Sequence, residues 1–321
     1  LFTMHDTTGF GNTHSPAGGW KGIRFDNGTG GMNGEMHDNM ESILRQCIIE
    51  YVKTEEGIHR APVEQNFFNG LTITNCTIRN NISYRGSGGI FAYRSSVNIR
   101  NNSIENNKVI EDPPNWGGGA LTMYECEGLI LGNMVSHNYA REYGGGLVSR
   151  ESKLSIRDNV FSGNMTNTDA GAIYSWSSRD TMINNIFSNN FSDGYFAVLV
   201  ASSRTVFIGN LVCNNSGGFR SLSSNLIMAN NTIVNNDLHG LNISSTDFTM
   251  INTIVHGNPV QVHLHNEFNS VSITNSFIQD GIEGLFGLWQ GEVNNILSGD
   301  PHFSNPTDSL GIGFPGLEAD Y

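Results

Sequence analysis

The 321-residue chain is acidic, with a net charge of −13, and only 15% of its residues carry a charge. This balance argues against a nucleic-acid groove or an anionic membrane surface as a partner, and low charge with 10% aromatic residues argues against disorder. Because no run of 18 apolar residues occurs, we expect no membrane insertion in this segment.

The first 66 residues predict irregular coils of a repeated structure. Short strand candidates cover 1–5 and 20–25, and a strand pair covers 42–52. Insertions rich in glycine or charge occupy 26–40 and 53–66. We expect the chain to be a fragment of a longer protein, since it opens on a strand-like segment and neither end shows a cap.

From residue 67 to about 281 the sequence repeats. Each copy has an apolar residue, a second apolar residue five positions later and, in all but the last copy, an asparagine three positions after that, and copies follow at 21 to 31 residues. The copies are Ile73/Ile78/Asn81, Ile99/Ile104/Asn107, Ile130/Val135/Asn138, Ile156/Phe161/Asn164, Met182/Phe187/Asn190, Phe207/Val212/Asn215, Met228/Ile233/Asn236, Met250/Val255/Asn258 and Ile273/Ile278 with Gly281. Such a period indicates a solenoid.

The pattern inside each copy predicts strands. Apolar and polar residues alternate over three or four positions, and no segment keeps a helical period, so helix should be nearly absent. Three short strands per coil fit an all-β, right-handed parallel β-helix of about 10–11 coils over 1–321, with a looser tail at 282–321. Equivalent residues then stack at about 4.8 Å, and the asparagines form an internal ladder. A β-sandwich is the alternative architecture.

The spacing of the inward residues predicts where the coils vary in length. An apolar residue precedes each first mark by nine positions, at Ile90, Leu121, Leu147, Ile173, Val198, Phe219, Leu241 and Leu264. All length variation falls between the asparagine and this residue, so one edge of the solenoid carries every insertion. Glycines before the strand, such as Gly88-Gly89 and Gly145-Gly146, allow a sharp corner there.

The sequence does not decide whether the cysteines form a disulfide. Aligning Leu44 with Ile73 places Cys47 and Cys76 at the same position of successive coils. They could form a disulfide or remain two buried thiols, and Cys126 and Cys213 have no evident partner.

Several motifs resemble known β-helix proteins. The Gly-Gly-apolar segment followed by Phe-x-x-Asn, as in 161–164 and 187–190, resembles the repeat of the chlamydial polymorphic membrane proteins. Residues 20–25, 47–51 and 300–303 are similar to segments of secreted bacterial pectin-lyase-like proteins. The resemblance implies a secreted or cell-surface bacterial β-helix. Proteins of this superfamily include polysaccharide lyases, glycosidases, adhesins and phage spikes.

Stacked coils predict an aromatic outer face beside the insertions. Three positions after the inward residues come Tyr93, Tyr124, Arg150 and Trp176, and one position after them come Phe91, Thr122, Val148 and Tyr174. Aromatic faces suit sugar rings, and Arg150 can pair with a carboxylate. The predicted ligand-binding residues are Phe91, Tyr93, Trp116, Tyr124, Arg150, Tyr174 and Trp176. Alternatively, these rings pack beneath the insertions.

We therefore predict a non-catalytic, adhesin-like protein that binds a polysaccharide or a host or cell-surface glycan. The alternative is a polysaccharide lyase or glycoside hydrolase in the same groove, which needs a base or two opposed carboxylates. Its candidate residues are Glu125, Arg150 and Glu151, because Glu125 and Glu151 occupy equivalent positions of adjacent coils.

The sequence gives only a weak indication of a metal site. Asp26, Glu35 and Asp38 lie in one insertion and could chelate calcium, but their spacing matches no EF-hand loop, and a solvated loop explains them as well. We expect no bound cofactor, with calcium as the exception to test. His263 and His265 alternate on one strand and are interpreted as outward polar surface.

Overall fold

The computed structural model describes residues 1–3, 7–11, 18–27, 41–55, 60–110 and 117–303. In these residues the chain winds as a parallel β-helix, in which each coil pairs in parallel with the next. The predicted architecture is confirmed. The described residues contain no α-helix, only the 3-10 turn Gly281–Gly284.

Each coil contributes one strand to each of three parallel stacks, here called sheets 1, 2 and 3. Sheet 1 contains Ile23–Asp26, Val63–Asn66, Ile90–Tyr93, Leu121–Tyr124, Leu147–Arg150, Ile173–Trp176, Val198–Ala201, Phe219–Leu222 and His239–Ser244. Sheet 2 contains Ser42–Arg45, Leu71–Thr74, Ser96–Arg100, Glu127–Leu131, Lys153–Arg157, Thr181–Ile183, Arg204–Ile208, Asn225–Ala229 and Asp247–Ile251. Sheet 3 contains Ile48–Glu50, Thr77–Arg79, Ser103–Glu105, Met134–Ser136, Val160–Ser162, Ile186–Ser188, Leu211–Cys213, Thr232–Val234 and Ile254–His256.

A short fourth sheet and two long strands complete the solenoid. Sheet 4 contains Ile82–Ser83, Lys108–Val109, Tyr139–Ala140, Met165–Thr166 and Phe191–Ser192. Val260–Ile278 continues through sheets 1, 2 and 3, and Leu285–Leu297 pairs along it. Parallel pairing thus continues past residue 281, where the sequence predicts a looser tail. The extent of a single domain over 1–321 stays a prediction.

The register of sheet 1 shows how many coils stack. Within the described residues, eleven inward positions lie in one column: Ile23, Val63, Ile90, Leu121, Leu147, Ile173, Val198, Phe219, Leu241, Val262 and Leu285. The predicted position of Leu264 in this column is wrong, since Leu264 pairs with Ile243. The extra residues fall at the corner after His265, where the pairing shifts register.

The core is the interior of the coils. Apolar side chains point inward from all three sheets, and the large ones stack on their counterparts: the ring centroids of Phe161 and Phe187 are 5.4 Å apart, and those of Phe187 and Phe207 are 5.9 Å apart. Burial of these side chains supplies the main stabilisation of the solenoid, about 25 cal/mol per Å² of apolar surface.

The predicted asparagine ladder is present as one column. Asn107, Asn138, Asn164 and Asn190 are fully buried, and the Nδ2 of each donates to the Oδ1 of the next asparagine at 3.0 to 3.1 Å. The ladder continues from Asn215 through Asn236 to Asn258. Each Nδ2 also donates to a backbone carbonyl of the preceding coil, as Asn164 does to Val135 at 2.8 Å. The ladder therefore satisfies backbone groups that the bend leaves without a sheet partner.

A second asparagine ladder, which we did not predict, lies at the corner between sheets 2 and 3. It joins Asn102, Asn133, Asn159, Asn185, Asn210 and Asn231. The residue before each ladder position has positive φ, as at Asn101 and Asn106. Because asparagine tolerates the left-handed region better than other side chains, each Asn-Asn pair supplies one turn residue and one ladder residue.

The glycine corner and the cysteines also follow from the stacking. A Cβ on Gly119 would lie 2.2 Å from the Gly145 carbonyl oxygen, so neighbouring coils approach too closely there for a side chain. Cys47 and Cys76 lie at equivalent positions of successive coils, and neither these two cysteines nor Cys126 and Cys213 form a disulfide. No helix among the described residues has the length and apolar character to cross a bilayer.

Candidate functional site

The outer face of sheet 1 carries a continuous column of rings and one guanidinium, here called the aromatic column: Tyr93, Tyr124, Arg150 and Trp176. These residues are direct neighbours in the parallel register. The rings of Tyr93 and Tyr124 are 5.1 Å apart, and the Arg150 Cζ lies 4.7 Å from the Tyr124 ring and 4.9 Å from the Trp176 ring. Arg150 is thus held between two aromatic faces by cation–π contacts.

Ion pairs fix the charged groups beside this column. Arg94 Nε donates to Glu125 Oε2 at 2.7 Å, and its guanidinium also contacts the Tyr93 ring. Arg150 Nε donates to Glu151 Oε1 at 3.2 Å. All members of the aromatic column are half-buried, so the surface is preorganised yet open to solvent.

The two tyrosines of the column keep their protons at neutral pH. Burial raises the pKa of Tyr93 and of Tyr124 above the usual value, and the Glu125 carboxylate acts in the same direction on both. Neutral phenols can donate and accept hydrogen bonds at the edge of the ring face. The column therefore offers apolar faces with polar rims, as a sugar ring requires.

Two of the predicted ligand-binding residues lie beside the aromatic column and are covered by other side chains. Phe91 and Tyr174 are buried on the neighbouring column, where the Arg60 guanidinium covers Phe91 at 5.0 Å and Tyr143 covers Tyr174 at 4.8 Å. These rings adopt the arrangement of the alternative interpretation, in which they pack beneath residues of the insertions. Trp116 lies outside the described residues.

The carboxylates proposed for catalysis stand at equivalent corner positions. Glu125 and Glu151 follow paired residues of adjacent coils, and both have positive φ. Each carboxylate is engaged by an arginine, Arg94 for Glu125 and Arg150 for Glu151. A catalytic role for Glu125, Arg150 and Glu151 stays a prediction, and so does ligand binding by the aromatic column.

The residues suggested for calcium are only partly described. Asp26 accepts from the Arg24 Nη2 at 2.6 Å, while Glu35 and Asp38 lie outside the described residues. Among the residues that are described, no group of three or more His, Cys, Asp and Glu side chains could hold a metal ion. The calcium hypothesis stays a prediction.

A further polar group on sheet 1 was not predicted as a site. Arg220, Asn242 and His263 are direct neighbours in the column that carries Phe91 and Tyr174 in earlier coils. The His263 ring stacks on His239 at 5.7 Å and on His265 at 3.9 Å. We call Arg220, His239, His263 and His265 the basic cluster. Extending the outer column past Tyr174 in the sequence would have located Arg220 and Asn242.

Comparison with known families identifies the class of protein. Residues 17–190 match the family described as right-handed beta helix region. Residues 118–284 match a family described as periplasmic copper-binding protein (NosD). Each match spans more than half of the 321 residues, so the chain belongs to both families. It is a right-handed β-helix protein of a periplasmic or extracellular family.

The other comparisons add little. A double mutant of the periplasmic alginate epimerase AlgG is similar over 79% of this chain and 78% of its own, at 12% identity and a TM-score of 0.35. The comparison with curated proteins yields no significant match.

The NosD family is described as copper-binding, and the three histidines of the basic cluster lie in the matched region. Their geometry shows whether they could hold a copper ion. Copper prefers imidazole nitrogens that converge on one point. Here the His239, His263 and His265 rings lie face to face, and in this arrangement their in-plane lone pairs run side by side. The Arg220 guanidinium acts electrostatically on His239 and His265, and its positive charge disfavours a metal cation. The described residues of the basic cluster therefore do not fit a copper ion.

Proposed function

We propose that this β-helix is a secreted or surface-exposed protein that binds a glycan without turning it over, through the aromatic column. The observation that carries the proposal is the stack Tyr93–Tyr124–Arg150–Trp176, which presents one ring or guanidinium per coil on an open face. Successive coils are about 4.8 Å apart, so the column offers several equally spaced contacts to an extended chain. The resemblance of the Phe-x-x-Asn repeats to chlamydial surface proteins also supports this function.

The ion pairs favour binding over catalysis. Glu125 and Glu151 each form an ion pair with an arginine, so each carboxylate would have to leave its arginine before it could act on a glycosidic bond. A retaining glycosidase needs two carboxyl groups about 5–5.5 Å apart on either side of that bond. A lyase or glycosidase remains the second candidate because adjacent coils bring Glu125, Arg150 and Glu151 close together.

We expect Trp176→Ala to weaken glycan binding about 10- to 30-fold, equivalent to about 1.5–2 kcal/mol, because the indole forms one end of the column. A glycan array should identify the ligand, and calorimetry should measure Kd. Arg150→Lys is a second test, since lysine keeps the charge but loses the planar stacking on Tyr124 and Trp176.

The matched control is Tyr195→Asn, which removes an exposed ring that is not a member of the column, at a position of positive φ that asparagine tolerates. It should leave Kd unchanged. If Trp176→Ala and Tyr195→Asn bind alike, the column is not the binding surface. Release of reducing ends or unsaturated products by the wild type, abolished in Glu151→Gln while binding survives, would instead establish the enzyme.

A further inference from the structure

The basic cluster lies on sheet 1 beyond the aromatic column. Trp176 pairs with Ala201, which pairs with Leu222, so the strand that holds Arg220 is two coils further along the same face. The repeats here take only 21 to 23 residues, too few for the long insertions that cover Phe91 and Tyr174 in earlier coils. Arg220 and His239 are half-buried and can therefore be reached from the end of the aromatic column, whereas Asn242 is buried next to Arg220.

Three neighbouring residues of this region hold buried polar atoms without a hydrogen-bond partner. They are Arg220 Nε, His239 Nδ1 and Asn242 Oδ1. Arg220 and Asn242 are paired residues of adjacent coils, and His239 begins the strand that contains Asn242. Since a buried polar atom without a partner destabilises the fold, three together indicate a place where another molecule supplies the partners.

The charges of this region favour an anion. Arg220 lies over the Phe196 ring at 5.2 Å, and within the described part of the chain no carboxylate forms an ion pair with it; Asp169 acts on it only at longer range. Burial, together with His263, His265 and Arg220, lowers the pKa of His239 to about 4. His239 is therefore neutral at pH 7, and one of its tautomers donates from Nδ1.

The three atoms require two kinds of hydrogen-bond partner, an acceptor and a donor. Arg220 Nε can only donate, so it needs an acceptor such as a carboxylate oxygen, whereas Asn242 Oδ1 needs a donor such as a hydroxyl. A bare carboxylate has no donor for Asn242, and a neutral sugar has no charge for Arg220. A carboxylate that carries hydroxyl groups on adjacent carbons satisfies both.

We propose that Arg220, His239 and Asn242 form a subsite for a sugar acid, a uronic acid residue at the end of the bound glycan. This inference rests on the proposed function and names the class of glycan, an acidic one. An acidic peptide would supply the carboxylate but no adjacent hydroxyl groups, so the Asn242 acceptor favours the sugar acid.

The test uses monosaccharides, so that it does not depend on the aromatic column. Glucuronate should shift the ring signals of His239, His263 and His265 in NMR spectra of the whole protein, and glucose should not. In Arg220→Met the Kd for glucuronate should rise about tenfold or more. Arg204→Met is the matched control, because Arg204 is an exposed arginine at the start of the sheet 2 strand Arg204–Ile208 and should leave the shifts unchanged.

Each other outcome overturns the subsite. Equal shifts with acetate or with a tri-aspartate peptide would show that the subsite accepts any carboxylate and that Asn242 does not select for hydroxyl groups. Absence of shifts with glucuronate, or an unchanged Kd for glucuronate in Arg220→Met, would contradict it directly. Failure of the proposed function is separate: there Trp176→Ala leaves the Kd for the glycan unchanged while glucuronate still shifts the histidines.

Discussion

Replacing Asn164 with alanine should lower the free energy of unfolding by about 3–5 kcal/mol, among the largest effects of any single change in this chain. Asn164 Nδ2 donates to Val135 O at 2.8 Å and to Asn190 Oδ1 at 3.1 Å, and its Oδ1 accepts from the Asn138 Nδ2 and N at 3.0 and 3.1 Å. Alanine leaves the buried Asn138 N–H without its acceptor and removes the hydrogen bonds that the Val135 carbonyl and the Asn138 Nδ2 make with this side chain. Urea unfolding followed by circular dichroism measures the loss.

Asn167→Ala is the control for this prediction. Asn167 is exposed and outside the ladder, three residues further along the same coil, so its replacement should change the free energy of unfolding by less than about 0.5 kcal/mol. If the two variants lose the same stability, the ladder contributes no more than a surface asparagine. The comparison separates the ladder from the general cost of losing an asparagine.

The second large effect concerns Asp180, a fully buried carboxyl group in an otherwise largely apolar column. Its Oδ1 accepts from Leu154 N at 3.0 Å and its Oδ2 from Ser175 Oγ at 2.8 Å, and burial raises its pKa to about 6. The folded protein therefore binds a proton that the unfolded chain releases near its ordinary value of 3.8. Stability from this group is full below about pH 4 and falls by about 3 kcal/mol as the pH rises to about 6 and beyond.

Asp180→Asn should remove this dependence, because an amide is neutral at every pH and keeps the oxygen that accepts from Leu154. We expect the variant to match the wild type near pH 4 and to be up to about 3 kcal/mol more stable at pH 7.5, measured by urea unfolding at both values. Asp247→Asn, at an exposed position, should show no such difference. A wild type and an Asp180→Asn variant with the same change between the two pH values would contradict the assignment.

Under the two proposals, the aromatic column and the basic cluster would form one binding face. The column supplies ring faces in the middle coils, and Arg220, Asn242 and His263 supply polar groups further along the same sheet. The protein is acidic overall, so a local cationic site is the part of its surface that can attract an acidic polymer.

The sequence by itself determined the winding of this protein. Apolar and polar residues alternate inside a near-constant period that has asparagine at one fixed position, and this pattern is compatible with stacked parallel strands and with little else. It predicted that Asn107, Asn138, Asn164 and Asn190 form one column, as they do in the structure. The same regularity predicted the aromatic column, because each outward residue keeps its offset from the inward one.

Only the tertiary structure decided what lies above each column. Phe91 and Tyr174 have the same local pattern as Tyr93 and Trp176, and they differ because insertions from the edge of the solenoid fold over one column and leave the other open. The position of Val262 rather than Leu264 over Leu241 and the unpartnered atoms of Arg220, His239 and Asn242 likewise depend on how a corner packs. Such contacts are made by residues in loops of variable length. A repeat pattern predicts which residues are neighbours within a column, but it does not predict which loop residues cover that column.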